Sequence, residues 1–167
     1  MKNAAAWIQS LQLQSHPEGG WFREVYRSKE TILQQSLPSR FSGDRQFSTA
    51  IYFLLEGTDV SAFHRIKQDE LWHFYQGSSL SIHVIDSFGN HSVVKLGRKP
   101  DAGEQLLAVV EAGSLFGAVV DDPKSYSLVG CTVAPGFDFD DFEMPGRESL
   151  LEEFPQHREV IEKFSRD

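Results

Sequence analysis

Cysteine is almost missing from this chain: Cys131 is the only one in 167 residues. A single thiol closes no intrachain disulfide, which agrees with a reducing compartment. Cys131 lies in the apolar run Leu128-Val129-Gly130-Cys131-Thr132-Val133. There it reads as a buried small hydrophobe rather than a nucleophile. Long apolar runs are missing as well. Nothing approaches the ~20 consecutive apolar residues of a membrane span. The opening MKNAAAWIQSLQLQ has only a short apolar stretch, interrupted by glutamines, which does not fit a secretory signal. Basic charge is scarce: 16 Lys and Arg stand against 24 Asp and Glu, for a net charge of −8. An acidic chain without a basic run fits neither nucleic acid nor an anionic membrane. No internal repeat or low-complexity linker is visible. The expectation is a soluble cytoplasmic protein forming one domain over residues 1–167, a length that suits a single domain.

What the chain has is apolar and aromatic material: 40% of residues are apolar and 13 are phenylalanine, enough for a substantial core. Residues 3–14 predict a short helix, capped by Asn3, with Trp7, Ile8 and Leu11 at helical spacing and His16-Pro17 ending it. Gly19-Gly20 marks a turn. Trp21 to Arg27 alternates as a strand, with Trp21, Arg23, Val25 and Arg27 on one face and Phe22, Glu24 and Tyr26 on the other. Charge on both faces is unusual for a core strand. Residues 29–45 predict a loop or irregular hairpin, a candidate lid. Further strands are predicted at 46–55, 79–86, 91–96, 104–111, 115–120 and 125–134, separated by turn signals. Nine or ten short strands at this spacing indicate an all-β sandwich or barrel. Pro135-Gly136 breaks the pattern, and the acidic-aromatic FDFDDFE follows. Ser149 and Glu152 form a capping box for a carboxyl-terminal helix, with Phe154, Val160, Ile161 and Phe164 as its buried side.

The most informative stretch is GTDVSAFHRIKQDELWHFYQG, residues 57–77. It predicts two short strands joined by the polar turn Lys67-Gln68-Asp69. It carries His64, Glu70 and His73 among apolar and aromatic neighbours. A lone histidine usually belongs to a core or a rim. A carboxylate flanked by Leu71 and Trp72 has its pKa raised by desolvation unless a cation pairs with it. A buried His64–Glu70 pair orients an imidazole for general-base work, or simply ties two strands together. Glu70 and His73 are three apart, which places them on opposite faces of a regular strand. Tyr52 sits in an apolar strand, where a core tyrosine with a bonded hydroxyl is the ordinary reading. Arg23 reads as a surface residue or as a cavity residue that holds an anionic group.

Gly57, His64, Glu70 and Gly77 resemble the first motif of the cupin superfamily, G-x5-H-x-H-x3-4-E-x6-G. His64 follows six intervening residues rather than five, and Ile66 occupies the second histidine position. HPEGGWFREVYRS, FHRIKQDELWHFYQG and LVGCTVAPGFDFDDFE together are similar to the uncharacterised cupin family five, over about residues 8–145. The resemblance implies an all-β double-stranded β-helix, or jelly roll, with short amino- and carboxyl-terminal helices, often as a homodimer, and it implies no established reaction. Many cupins complete a divalent metal site with a histidine of a second motif, P-x-G-x-x-H. The corresponding stretch here is Glu111-Ala112-Gly113-Ser114-Leu115-Phe116, with Phe116 at the histidine position. Two ligand positions, His64 and Glu70, remain, where three are usual for a catalytic metal. The expectation is therefore no cofactor. A divalent metal is retained as an alternative on His64, Glu70 and His73, conditional on a bulge that turns His73 inward.

Three readings follow. In the leading one the barrel binds a small polar or anionic molecule and acts as a metal-independent isomerase or epimerase. That rests on analogy with the RmlC-like sugar-nucleotide 3,5-epimerases. His64 is then the base, Glu70 its orienting partner and Tyr52 a candidate acid. Glu18, Arg23, Trp72 and His73 are candidate ligand contacts, Glu18 through the resemblance. The second reading is a metal-dependent dioxygenase or isomerase. The third is a non-catalytic small-molecule-binding module.

Overall fold

The computed structural model describes residues 3–166. The chain runs through α1 (Ala4–Leu11), β1 (Gln14–Ser15), β2 (Trp21–Arg27), β3 (Thr31–Ile32), β4 (Arg45–Gln46), β5 (Thr49–Glu56), β6 (Val60–His64) and β7 (Asp69–Gly77). It continues through β8 (Leu80–Ile85), β9 (His91–Leu96), β10 (Leu107–Val110), β11 (Leu115–Val120), β12 (Tyr126–Ala134), α2 (Arg147–Glu153) and α3 (Arg158–Phe164). The strands form a six-stranded sheet in the order β1-β2-β5-β12-β7-β10, a four-stranded sheet in the order β6-β11-β8-β9, and the small pair β3-β4. Every paired strand is antiparallel. This is the all-β jelly roll with terminal helices that the alternating pattern and the resemblance predict.

The two large sheets face one another across the main core. Phe53, Leu55, Trp72, Phe74 and Val129 from the six-stranded sheet meet Leu80, Ile82, Leu96, Phe116 and Ala118 from the four-stranded sheet. Period-two alternation sends every second side chain there, and each large apolar chain fully buried contributes roughly 1.5–3 kcal/mol. The helices cover outer faces. α1 lays Trp7, Ile8 and Leu11 on Leu54, Tyr126 and Leu128. α2 and α3 lay Leu150, Ile161 and Phe164 on Phe63, Ile85 and Leu115.

Several boundaries differ from the sequence reading. Asn3 caps α1 as expected, its Oδ1 accepting from the Ala6 amide at 2.9 Å. The helix ends not at His16-Pro17 but at Gln12, whose φ is +53°. There the Leu13 and Gln12 amides turn back to the Ile8 and Gln9 carbonyls in a Schellman-type ending. The Ser149–Glu152 capping box is not formed. α2 starts earlier, at Arg147, with Gly146 at its cap, because the Arg147 side chain is held by Ser165 across the helix pair. The 29–45 segment is not a free lid. It contains the β3-β4 pairing, buries Phe41 beneath the guanidinium groups of Arg40 and Arg45, and contributes no wall to the cavity lined by His64 and Glu70.

The segment after Pro135 is held by a dry ion pair. Asp141 accepts from Arg45 Nε and Nη2 at 2.7 Å each. It also accepts from Gln68 Nε2 at 2.7 Å, so the middle residue of the predicted polar turn is buried. Burial alone would raise the Asp141 pKa, but the bonds from Arg45 and Gln68 and the nearby Lys67 ammonium hold it below the ordinary range. Its stabilising contribution is thus present above that range and lost as pH falls through the depressed value. Removing one partner of such a pair strands the other. Asp141→Ala is expected to lower the unfolding free energy by about 3–5 kcal/mol at neutral pH, measured by urea denaturation. A loss below about 1 kcal/mol, the range of an exposed pair, would show that the clamp is not dry.

Candidate functional site

One cavity of ≈ 260 Å³ opens between the sheets at the end where β2, β6 and the 137–142 segment converge. Its walls are largely aromatic, including Phe22, Phe53, Trp72, Phe137, Phe139 and Phe142. Its polar interior is made by His16, Glu18, His64 and Glu70.

Glu18 arrives by way of the Gly19-Gly20 turn. Both glycines have positive φ, and a Cβ on Gly19 would collide with the Val60 carbonyl, so no other residue lets the turn lie this close to β6. The Glu18 carbonyl accepts from the Ala62 amide at 2.8 Å, fixing the turn to the edge of β6. From there Glu18 Oε2 lies 3.0 Å from His64 Nε2 and 3.4 Å from His16 Nδ1. Ser61 Oγ donates to Glu18 Oε1 at 2.8 Å. The other His64 nitrogen, Nδ1, lies 2.7 Å from the Ala62 carbonyl. A carbonyl only accepts, so Nδ1 carries a proton and Nε2 is the nitrogen that exchanges one.

Burial governs the ionisation of all four groups. It pushes Glu18 above the ordinary carboxylate range, against the pull of His16, Ser61 and Arg166. It pushes Glu70 up to about 7, outweighing the attraction of His64, with Glu18 adding repulsion. It lowers His64, against Glu70 and the Ala62 carbonyl. It lowers His16, against Glu18. Cys131 stands beside Trp72 across the β12–β7 pairing and close to the Glu70 carboxylate, which lines the same cavity. Burial first, and then that carboxylate, raise its thiol well above the ordinary value. It is buried as expected, but in the cavity wall.

Of the residues selected from sequence, Glu18, His64, Glu70 and Trp72 come together here. Three do not. Tyr52 points from β5 to the opposite side, against α1 and edge-on to Tyr75, because its neighbours Ile51 and Phe53 take the cavity side. Arg23 is exposed and donates from Nη1 to the Leu11 carbonyl at 3.1 Å, serving the end of α1. His73 faces outward, 3.2 Å from Thr132 Oγ1. β7 pairs in regular register from Asp69 to Phe74 and shifts only beyond it, at Tyr75. The bulge needed to turn His73 inward is therefore absent, and the His64–Glu70–His73 metal set is not assembled. Phe116 lies opposite His64 in register, with ring centroids 4.1 Å apart. It fills the second-motif position with an apolar ring, as Ile66 fills the first. Among the described residues no group of three or more His, Cys, Asp or Glu is placed to hold a metal ion, so the donors present do not fit a cupin metal centre.

His16, Glu24 and Arg27 line the cavity but were not selected from sequence. His16 is wedged among aromatics, 4.6 Å from the Phe22 ring centroid. The register of β2 against β5 slips between Glu24 and Tyr26, leaving Val25 as the extra residue. The slip puts Arg27 beside Glu24, paired at 2.8 Å, where strict alternation puts them on opposite faces. Nothing in the local sequence marks that bulge. The H-x-E spacing ahead of the glycine pair is the one signal for His16.

Comparison with known proteins gives a consistent picture. A family described as Cupin superfamily (DUF985) matches residues 5–145. The uncharacterized protein YML079W of Saccharomyces cerevisiae is 29% identical over 143 residues, 80% of this chain and 71% of that protein. Among solved structures, protein SO0799 from Shewanella oneidensis is 43% identical with a TM-score of 0.89, covering 99% of both chains. A hypothetical protein from Leishmania major is 35% identical with a TM-score of 0.90, covering 99% of this chain and 100% of that one. Oxalate decarboxylase from Bacillus subtilis shares the fold alone, at 14% identity and a TM-score of 0.55, and this chain spans 36% of its length.

The raised Glu70 pKa has a measurable sign. Between its ordinary 4.5 and about 7 the folded protein holds a proton that the unfolded chain has released. Stability therefore falls as pH climbs through that window, and the cost is complete above it. Glu70→Gln is expected to stabilise the protein by on the order of 2–3 kcal/mol at pH 8 and to change little near pH 4.5. Urea denaturation at both pH values checks this. An effect independent of pH would mean that Glu70 is not desolvated.

Proposed function

The chain belongs to the DUF985 family of the cupin superfamily, and on that premise we propose that it takes a small molecule into the barrel cavity and moves protons on it without a metal. The reaction class is isomerisation or epimerisation. The observation that carries the reading is the contact of His64 Nε2 with Glu18 Oε2 at 3.0 Å, beside a second buried carboxylate that titrates near neutrality. His64 is held in one tautomer by the Ala62 carbonyl, so a single proton lies between Nε2 and Glu18. Glu70 is populated in both forms around pH 7. A general acid and a general base work best with pKa values near the operating pH, and two groups that differ in environment divide those roles. In this reading the proton shared with Glu18 moves onto His64 Nε2 while the Glu18 carboxylate takes a proton from an acidic carbon of the ligand, and protonated Glu70 returns one. Glu18, rather than Glu70, is the hydrogen-bonding partner of the imidazole, and Tyr52 has no part. Arg23 lies outside the cavity, so the anionic-ligand version of this reading loses its cation.

The expected homodimer is proposed to form through the outer face of β7 and β10. Tyr75, Leu107 and Val109 are exposed there by 46%, 44% and 49% on a face that no helix covers among the described residues. Patches of this kind mark protein contacts. Val109→Arg is expected to shift the mass found by light scattering from two chains to one while leaving circular dichroism unchanged. An unchanged mass would rule out this face.

The proton-transfer reading is tested by incubating the protein in D₂O with a panel of small carbonyl and sugar compounds and reading deuterium uptake by mass spectrometry. Wild-type protein is expected to catalyse exchange into at least one of them. His64→Gln and Glu18→Gln should each slow that exchange by about 10²-fold or more, and Tyr52→Phe should not. Uptake that survives in both variants would overturn the mechanism.

A further inference from the structure

The cavity has an unbalanced charge inventory. Glu18 and Glu70 are both buried in it, while Arg27 is the one Lys or Arg among its lining residues. Arg27 stands at the rim and is already committed, to Glu24 at 2.8 Å, to Gln46 Oε1 at 2.7 Å and to the Phe137 carbonyl at 3.0 Å. The two histidines are held towards the neutral form by burial. An anion entering this space would meet two carboxyl groups, of which Glu70 is mostly ionised above about pH 7, and no uncommitted Lys or Arg among the lining residues. The walls act in the same direction, because the faces of aromatic rings carry negative potential and attract cations. Asp138 lies at the same mouth, and the net charge of −8 draws cations towards the molecule.

A second observation bears on the ligand. Trp72 is 1% exposed and lines the cavity, and its indole N–H has no hydrogen-bond partner within the protein. Buried donors are normally satisfied, so this N–H favours a ligand that brings an acceptor. We infer that the ligand of this cavity is a small organic cation, an amine or quaternary ammonium compound, that also carries an oxygen able to accept from Trp72. Its positive centre sits between the carboxylates of Glu18 and Glu70 and the aromatic walls. This rests on the proposal that the cavity is the ligand site, and it names the ligand's class. Charge-assisted contacts in a water-poor pocket strongly separate an ammonium from a neutral isostere.

Three probes of one shape, each with an oxygen, test it: choline, 3,3-dimethylbutan-1-ol and 3,3-dimethylbutanoate, each titrated into the full chain at pH 7.5. The Trp72 indole N–H signal, assigned by its loss in Trp72→Phe, locates binding by nuclear magnetic resonance. Choline is expected to bind at least tenfold more tightly than the alcohol, and the carboxylate not to bind up to about tenfold the alcohol Kd. Glu18→Gln and Glu70→Gln should each lower the ratio of choline to alcohol affinity. Equal affinity for choline and alcohol, or tighter carboxylate, overturns the inference and leaves the cavity reading standing. A Trp72 signal unmoved by all three probes overturns both.

Discussion

Arg45 and Asp141 meet away from water, and the working end of the barrel depends on that contact. The segment from Phe137 to Phe142 has little regular structure of its own, only one short turn at Phe139–Asp141. Its aromatic residues would gain nothing from pointing inward unless the backbone were held. The Asp141 carboxylate holds it, gathering Arg45 and Gln68 from two other parts of the chain. One residue beyond the aromatic wall, Glu143 exchanges backbone hydrogen bonds with Arg65, the first residue after β6. The wall that screens His64 from solvent is thus a product of electrostatics, although its surface is apolar.

That screening determines the chemistry. Four titratable side chains share a space lined by rings, and for all four burial is the largest influence on proton affinity. In water, two glutamates and two histidines at pH 7 would be a pair of anions with two largely neutral rings. Here protons are shared or retained, because charge is costly where water is excluded. Ile66 and Phe116 bring apolar volume at the two positions where the cupin motifs that the chain resembles carry histidine, and the Phe116 ring lies against His64.

The strands were legible because alternation is a direct readout of which side chains face the core. β2, β9 and β11 coincide with the expected runs, and β8 and β12 differ by at most a residue at either end. His64, Glu70 and Trp72 are legible through alternation and motif spacing, whereas Glu18, outside any strand, enters only through the family resemblance and its charge. What escaped depends on local slips in register and on contacts distant in sequence. Val25 as an extra residue re-aims Arg27, and no residue type forces a bulge there. The regular pairing of Glu70 to Phe74 removes His73, and only the neighbouring strands reveal that regularity. Gly146 starts α2 in place of Ser149 because Arg147 is fastened to Ser165, eighteen residues away. Tyr52 was selected for its hydroxyl, but its position in β5 had already assigned it to the helix side.

Beyond α3, Arg166 donates to the Pro17 and Glu18 carbonyls at 3.1 and 2.9 Å, so the turn that carries Glu18 is gripped from behind by a residue almost 150 positions later in the chain. On its front the same turn is fastened to β6. Arg166 also counts among the charges that pull the Glu18 pKa down against the effect of burial. Its guanidinium therefore acts as a remote trimmer. Anything that draws the tail away, from a bound partner to a nick after α3, would retune the proton affinity of the site without touching its walls.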